Sequence, residues 1–112
     1  MKLKPFLLSG LIALAASVQA EVVIDLERDD GALADNLRAR LALQQEDCDA
    51  PLWRVRRLFR RAEKEFDPAL RAFGFYRPVI DKSLTTEGEC WQAVFRIDPG
   101  PQTRVRRRVL EI

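Results

Sequence analysis

The spacing of apolar residues changes several times along the chain, and the first two patterns predict a strand and then a helix. Residues 22–27 alternate apolar and polar side chains, which is typical of a strand with one buried face. Leucine then recurs at every fourth position from residue 33 to residue 41, which predicts a short amphipathic helix that Asp29 or Asp30 can cap. The side chains expected inside are Val22, Ile24, Leu26, Leu33, Leu37 and Leu41.

A second and longer amphipathic pattern follows a polar connection at residues 45–49. Pro51 suits the first turn of this helix, whereas Pro68 predicts a kink or a boundary between two helices, because proline lacks the amide hydrogen. Basic side chains cover much of the face opposite the apolar one. The expected apolar stripe is Leu52, Val55, Leu58, Phe59, Ala62 and Phe66. The candidate basic face is Arg54, Arg57, Arg60 and Arg61.

The segment LRAFGFYRPVI, residues 70–80, turns a helical pattern into an extended one within a few positions. Gly74 can adopt the left-handed conformation that closes a helix. We expect Phe75 and Tyr76 to fold back onto the core, and Pro78 to prevent any continuation of the helix. These four residues form a candidate corner motif that directs the chain into a strand.

Two strands with different patterns follow the corner. Residues 79–85 have the marks of an edge strand, because a proline precedes them and Lys82 interrupts their apolar face. Residues 91–98 alternate cleanly and predict a central strand, with Trp91, Ala93, Phe95 and Ile97 on its buried face. The element order β-α-α-β-β predicts an α+β domain with two helices packed on a three-stranded mixed sheet, in two layers.

The first twenty residues have the features of a secretory signal peptide. Lys2 and Lys4 precede an apolar run at residues 6–16, and the small residues that follow predict cleavage between Ala20 and Glu21. The alternative is an uncleaved membrane anchor. A cleaved signal peptide predicts that the remaining residues are exported.

Charge is balanced overall but divided along the chain. Without Lys2 and Lys4, the chain has 17 basic and 17 acidic residues. Residues 21–50 carry nine acidic and three basic residues, whereas residues 51–112 have an excess of basic ones. This balance disfavours a nucleic-acid-binding protein and favours local contacts with other proteins. The candidate basic face fits an acidic partner or anionic lipid headgroups. The simpler interpretation is a solvated surface, partly paired with Glu63, Glu65 and the acidic first third of the chain.

The composition gives little support to catalysis, metal binding or a cofactor. The chain has no histidine, which excludes histidine-based triads, and it has no glycine-rich phosphate loop. The closely spaced acids Glu63, Glu65, Glu87 and Glu89 are expected to be solvated surface residues. We therefore expect a protein that is not an enzyme and binds no cofactor.

Cys48 and Cys90 are the two cysteines of the chain, and in an exported protein they predict a disulfide. Closing the 41 intervening residues would stabilise the fold by about 3–4 kcal/mol in the loop-entropy description. The alternative is two unpaired cysteines, because Cys90 falls on the strand face opposite Trp91.

The element order, the corner and the run Asp98-Pro99-Gly100-Pro101 resemble a POTRA (polypeptide-transport-associated) domain. The resemblance is greatest to the first POTRA domain of TamA-type translocation and assembly module subunits. In that family a helix ends in a Leu-x-x-x-Gly-Tyr-Tyr-x-Pro run. In this chain Phe75 replaces the first of the two tyrosines. The resemblance implies a periplasmic interaction domain at residues 21–103. It also implies that a partner binds by adding a strand to the free edge of the sheet. We expect proline at Asp81 and Ser83 to block that addition. The candidate edge is Val79, Ile80, Asp81, Lys82, Ser83 and Leu84.

The partners that the resemblance implies are an inner-membrane-anchored assembly subunit and outer-membrane or autotransporter client proteins. Residues 104–112 resemble the first strand of a second POTRA domain, so we expect the chain to be a piece of a longer protein. Any membrane association is then expected through a barrel that lies outside the sequence. The alternative is a free-standing secreted or periplasmic binding or inhibitor protein, stapled by its disulfide.

Overall fold

The computed structural model describes residues 19–103, and the elements follow the predicted order. Most of the predicted signal peptide and the predicted start of a second domain, residues 1–18 and 104–112, lie outside the described residues. The elements are β1 (Glu21–Leu26), α1 (Gly31–Arg40), a 3-10 helix (Ala42–Gln45), α2 (Leu52–Ala72), β2 (Val79–Thr85) and β3 (Gln92–Asp98). The predicted α+β class is confirmed.

Within residues 19–103 the sheet has three strands in the order β1-β3-β2. β1 runs parallel to β3, and β2 runs antiparallel to it, so the sheet is mixed as predicted. Parallel pairing requires a long crossover between β1 and β3, which the two helices supply. β3 is therefore the central strand and β2 an edge strand, as their patterns indicate.

The core lies between one face of the sheet and the two helices. The alternating side chains of β3 are buried beneath α2, where the ring of Phe95 contacts Phe59 and Phe66 at centroid distances of 5.5 and 5.3 Å. Leu33 and Leu37 bring α1 into the same core. Trp91 is buried at the start of β3, and its indole Nε1 donates a hydrogen bond to the Asp47 carbonyl at 2.9 Å. The buried indole N–H is therefore satisfied.

Helix boundaries confirm one cap and correct three expectations. The Asp30 side chain accepts a hydrogen bond from the Leu33 amide at 3.1 Å and caps α1. Pro51 precedes α2 and takes the N-cap position, outside the first helical turn. Leu52 is 40% exposed and does not belong to the buried stripe. α2 continues through Pro68, so of the two alternatives predicted there, a kink or a boundary between two helices, the boundary was wrong.

Tertiary packing explains why Pro68 does not end α2. Pro68 itself is exposed, whereas Phe66, Ala69 and Leu70 on either side of it are buried in the core. Their burial holds both halves of the helix against the sheet, and this packing outweighs the unfavourable helix propensity of proline.

A disulfide joins Cys48 and Cys90, whose Cα atoms are 5.2 Å apart. It ties the loop before α2 to the residues that lead into β3. Cys90 precedes the first residue of that strand, Gln92, so the alternation of strand faces does not govern its direction. Cys90 can therefore form the disulfide although the strand pattern placed it on the face opposite Trp91.

Candidate functional site

The glycine corner ends α2 and sets the direction of β2. Gly74 has a φ of 89°, and its amide and that of Phe75 donate to the carbonyls of Arg71 and Leu70, at 3.0 and 2.8 Å. This pair of hydrogen bonds is the Schellman motif, in which a left-handed residue closes a helix. Phe75 is fully buried, as expected. Pro78 then immediately precedes the strand.

Tyr76 does not cover the core. The expectation that both aromatic residues of the corner fold back onto the core is therefore correct for Phe75 and wrong for Tyr76. Tyr76 is 47% exposed, and the guanidinium of Arg71 lies 5.4 Å from the centre of its ring. Tyr76 lies between the end of α2 and the start of β2, where neither helical nor strand periodicity sets the direction of a side chain. The corner therefore places one aromatic ring inside and presents the other on the surface.

Lys82 is the inward-pointing charge of β2, and it is anchored. Its Nζ donates to the carbonyl of Phe59 and to the Glu63 carboxylate, both at 2.8 Å, and lies 4.5 Å from the centre of the Phe59 ring. Its side chain retains 20% exposure. An anchored charge inside an edge strand stabilises the strand and discourages uncontrolled pairing at the edge.

The register determines which backbone groups of β2 face its free edge. The amides of Glu21 and Glu27 donate to the carbonyls of Trp91 and Ile97, so the odd-numbered residues of β3 point toward β1. The N–H and C=O of one strand residue point to the same side, and successive residues alternate. The even-numbered residues of β3 therefore point toward β2.

In β2 the hydrogen-bonded partners of those even-numbered residues are Val79, Asp81, Ser83 and Thr85. The backbone groups of Ile80, Lys82 and Leu84 consequently face outward, and within residues 19–103 no hydrogen bond from another element reaches them. The expected effect of proline at Asp81 and Ser83 is thereby corrected. Proline at those positions would remove hydrogen bonds to β3 and would leave the free edge untouched.

The opposite edge of the sheet is less open. Since Glu21 and Glu27 face β3, the outward backbone groups of β1 belong to Val22, Ile24 and Leu26. The Arg38 guanidinium of α1 donates to the Val22 carbonyl at 3.5 Å, a long contact that occupies one of these acceptors. An incoming strand would have to displace this side chain at β1, whereas β2 has no such cover among the described residues.

Arginines of the candidate basic face fall into two groups. Arg54 pairs with Glu46 at 3.4 Å, which confirms pairing with the acidic first third of the chain. Arg57, Arg60 and Arg61 are exposed, and the guanidinium of Arg57 lies 5.5 Å from the centre of the Trp53 ring. The remaining candidates therefore form a surface that the fold does not neutralise by ion pairs between described residues.

Glu63 and Glu65 have structural contacts that the sequence did not reveal. Glu63 pairs with Lys82, and Glu65 accepts a hydrogen bond from the Ala42 amide at 3.0 Å, at the start of the 3-10 helix. Neither pairs with the arginines of α2, contrary to expectation. The position of Lys82 on the apolar face of an edge strand indicated that it needs a partner. The identity of that partner, Glu63, depends on how α2 packs over β2.

No group of side chains suited to hold a metal ion is found between residues 19 and 103. Neither α1 nor α2 has the combination of length and apolar character that crossing a bilayer requires. The candidate site is the free backbone edge of β2, next to the anchored Lys82 and the glycine corner.

Comparison with known proteins bears on the family of the chain. A search of curated proteins found no match to the chain. A family model described as POTRA domain, TamA domain 1, matches residues 23–99, which include all the described strands and helices apart from the first two residues of β1. The match extends over more than half of the chain, and the chain belongs to the TamA domain 1 family of POTRA domains.

Proposed function

We propose that the chain is a periplasmic docking module of outer-membrane protein assembly, which binds a partner or client by adding its strand to the outer edge of β2. POTRA domains of the TamA family are protein-protein interaction modules. The observation that carries the edge assignment is the outward direction of the backbone groups of Ile80, Lys82 and Leu84. Main-chain hydrogen bonds supply much of the affinity in this mode of binding.

The side chains around the edge indicate which strand would fit. Ile80 and Leu84 are partly buried on the helix side of β2 and pack against the core, so a neighbouring strand would place apolar side chains there. On the other face Asp81 pairs in register with Arg96, which also neighbours Asp25 at 3.9 Å. A basic residue opposite Asp81 would be favoured. The preferred strand alternates apolar and polar positions, as outer-membrane client strands do.

Leu84→Pro tests the edge, with Leu84→Ala as its matched control. Proline removes an outward N–H without breaking the ladder to β3, and it forces the preceding residue into the extended conformation that Ser83 already has. The alanine variant loses the side chain but keeps the amide. We expect proline, relative to alanine, to weaken binding of a fluorescent peptide with the sequence of an outer-membrane barrel strand by about fivefold or more. Fluorescence anisotropy measures the affinity.

Equal affinities of the two variants, with circular dichroism spectra like that of the parent, would refute strand addition at this edge. Amide hydrogen exchange provides an independent check without any ligand. In the free protein the amides of Asp81 and Ser83 should exchange slowly, and those of Ile80, Lys82 and Leu84 rapidly. On peptide binding the second group should become protected. Protection confined to β1 would assign docking to the opposite edge.

A further inference from the structure

One face of α2 carries a row of exposed side chains that the docking edge does not use. The spacing of three and four residues places its members on a single side of the helix, opposite the buried side chains Val55, Ala62 and Phe66. We call this row the outer stripe. Its members are Trp53, Arg56, Arg57, Arg60, Arg61 and Lys64, all of which are exposed.

The outer stripe holds five positive charges that the described fold leaves without ion pairs. The acids of α2 are engaged elsewhere: Glu63 pairs with Lys82, Glu65 accepts the Ala42 amide, and Asp67 pairs with Arg71 at 3.0 Å. Trp53 and Lys64 are eleven steps apart along the helix, which corresponds to a row about 16 Å long. This concentration of charge is local, because the acidic and basic residues after residue 20 balance.

An aromatic residue stands at one end of the row. Trp53 is 61% exposed and lies in the first turn of α2, so the outer stripe begins with an aromatic side chain and continues with basic ones. Tryptophan favours the boundary between lipid headgroups and acyl chains, where its ring is buried and its N–H stays hydrated.

We propose that the outer stripe binds the surface of a membrane that contains anionic phospholipids. Positive side chains are attracted to the negative headgroups, and Trp53 enters the interface. An acidic protein segment is the competing occupant. It would gain more from a groove between two elements, whereas the outer stripe belongs to one helix and is convex. Membrane contact through α2 leaves the free edge of β2 accessible, so this proposal is independent of strand docking.

Tryptophan fluorescence tests the proposal directly. The chain has two tryptophans, and Trp91 is only 2% exposed, so a change on binding reports Trp53. Vesicles of equal parts phosphatidylglycerol and phosphatidylcholine should shift the emission to shorter wavelength, and vesicles of phosphatidylcholine alone should not. Brominated acyl chains in the anionic vesicles should quench the emission, and salt should reverse binding.

Two double variants locate the binding surface. Arg56→Gln with Arg60→Gln removes two charges from the outer stripe, and Arg40→Gln with Arg77→Gln removes two exposed charges elsewhere. We expect the first pair to lower partitioning onto the anionic vesicles, measured by co-sedimentation, by about 30-fold. The second pair should change it much less. All variants share residues 1–20, so any lipid affinity of that segment cancels in the comparison.

Three results would overturn the proposal. Absence of binding to the anionic vesicles at low salt would exclude lipid as the occupant. Equal losses in the two double variants would show that binding follows total charge and does not depend on the outer stripe. Binding of a polyglutamate peptide that Arg56→Gln with Arg60→Gln weakens, together with no vesicle binding, would assign the surface to an acidic protein partner.

Discussion

At the scale of single residues, the corner depends on a glycine for two separable reasons. Gly74 and Gly88 both have positive φ values, 89° and 95°. A side chain at Gly74 would collide with the backbone carbonyl of Thr103, whereas nothing lies within 4 Å of a side-chain carbon at Gly88. The Thr103 amide also donates to the Gly74 carbonyl at 2.7 Å, so the two backbones cannot simply move apart. Comparison of Gly74 with Gly88 therefore separates the cost of the left-handed conformation from the cost of a steric collision.

Gly74→Ala should destabilise the domain considerably more than Gly88→Ala. The left-handed conformation alone costs about 1 kcal/mol for alanine, which is the loss expected at Gly88. At Gly74 the collision with Thr103 adds to it, and we expect a total of about 3 kcal/mol. Urea denaturation followed by circular dichroism measures both. Equal losses would mean that the backbone around Thr103 relaxes and that only the conformation matters.

At the scale of elements, β2 combines an open edge with an internal charge that restrains it. Glu63 lies 19 residues before Lys82 in the chain, and Phe59 lies 23 residues before it, yet both contact its Nζ. The lysine thereby fixes α2 over the edge strand as well as interrupting its apolar face. An edge strand with such a charge remains soluble while it is unpaired.

Lys82→Met should lower stability and increase self-association. Methionine keeps the contact with Phe59 but leaves the Glu63 carboxylate and the Phe59 carbonyl without their donor, at a cost of about 1–2 kcal/mol. The more apolar edge should also pair with other copies of the chain. Urea denaturation and light scattering measure the two effects. Glu63→Gln is the control, because Lys82 then keeps the Phe59 carbonyl. If both variants stayed monomeric, the lysine would not protect the edge.

The strands, the helices and the corner were predictable because their signals are local. Alternation, leucine spacing and the glycine before two aromatics each occupy a few neighbouring residues. Contacts such as Glu63 with Lys82, or Arg38 with Val22, were not predictable, because they depend on how distant elements pack. The direction of the β2 amides also depends on the register with β3, which the sequence does not specify, and this is why proline was expected to block the edge at Asp81 and Ser83. Leu52 and Tyr76 lie at element ends, where periodicity gives little information on burial.

At the scale of the whole molecule, the disulfide connects segments that the sheet and helices otherwise join only indirectly. It closes a long loop that contains α2 and β2 and therefore acts on the entire fold. In a domain of this size the apolar core alone provides a modest margin of stability. The bridge lies beside the hydrogen bond from Trp91 to Asp47, which joins the same two segments.

Replacing both cysteines, Cys48→Ser with Cys90→Ser, should lower the free energy of unfolding by about 3–4 kcal/mol. The urea midpoint of the oxidised parent gives the reference. Treatment of the parent with dithiothreitol should reproduce the loss, and the same treatment should leave the double variant unchanged. A parent that is insensitive to reduction would show that the bridge contributes little to stability.

The parallel pairing of β1 with β3 has a consequence for how the chain is made. Among the described residues β1 pairs with β3 alone, and 70 residues lie between Glu21 and its partner Gln92. A chain emerges from the ribosome amino end first, so β1 appears long before the strand it must join. The sheet cannot close until almost the whole domain has been synthesised. Translocation machinery that accepts only unfolded chains would thus meet the leading segment while it is still extended.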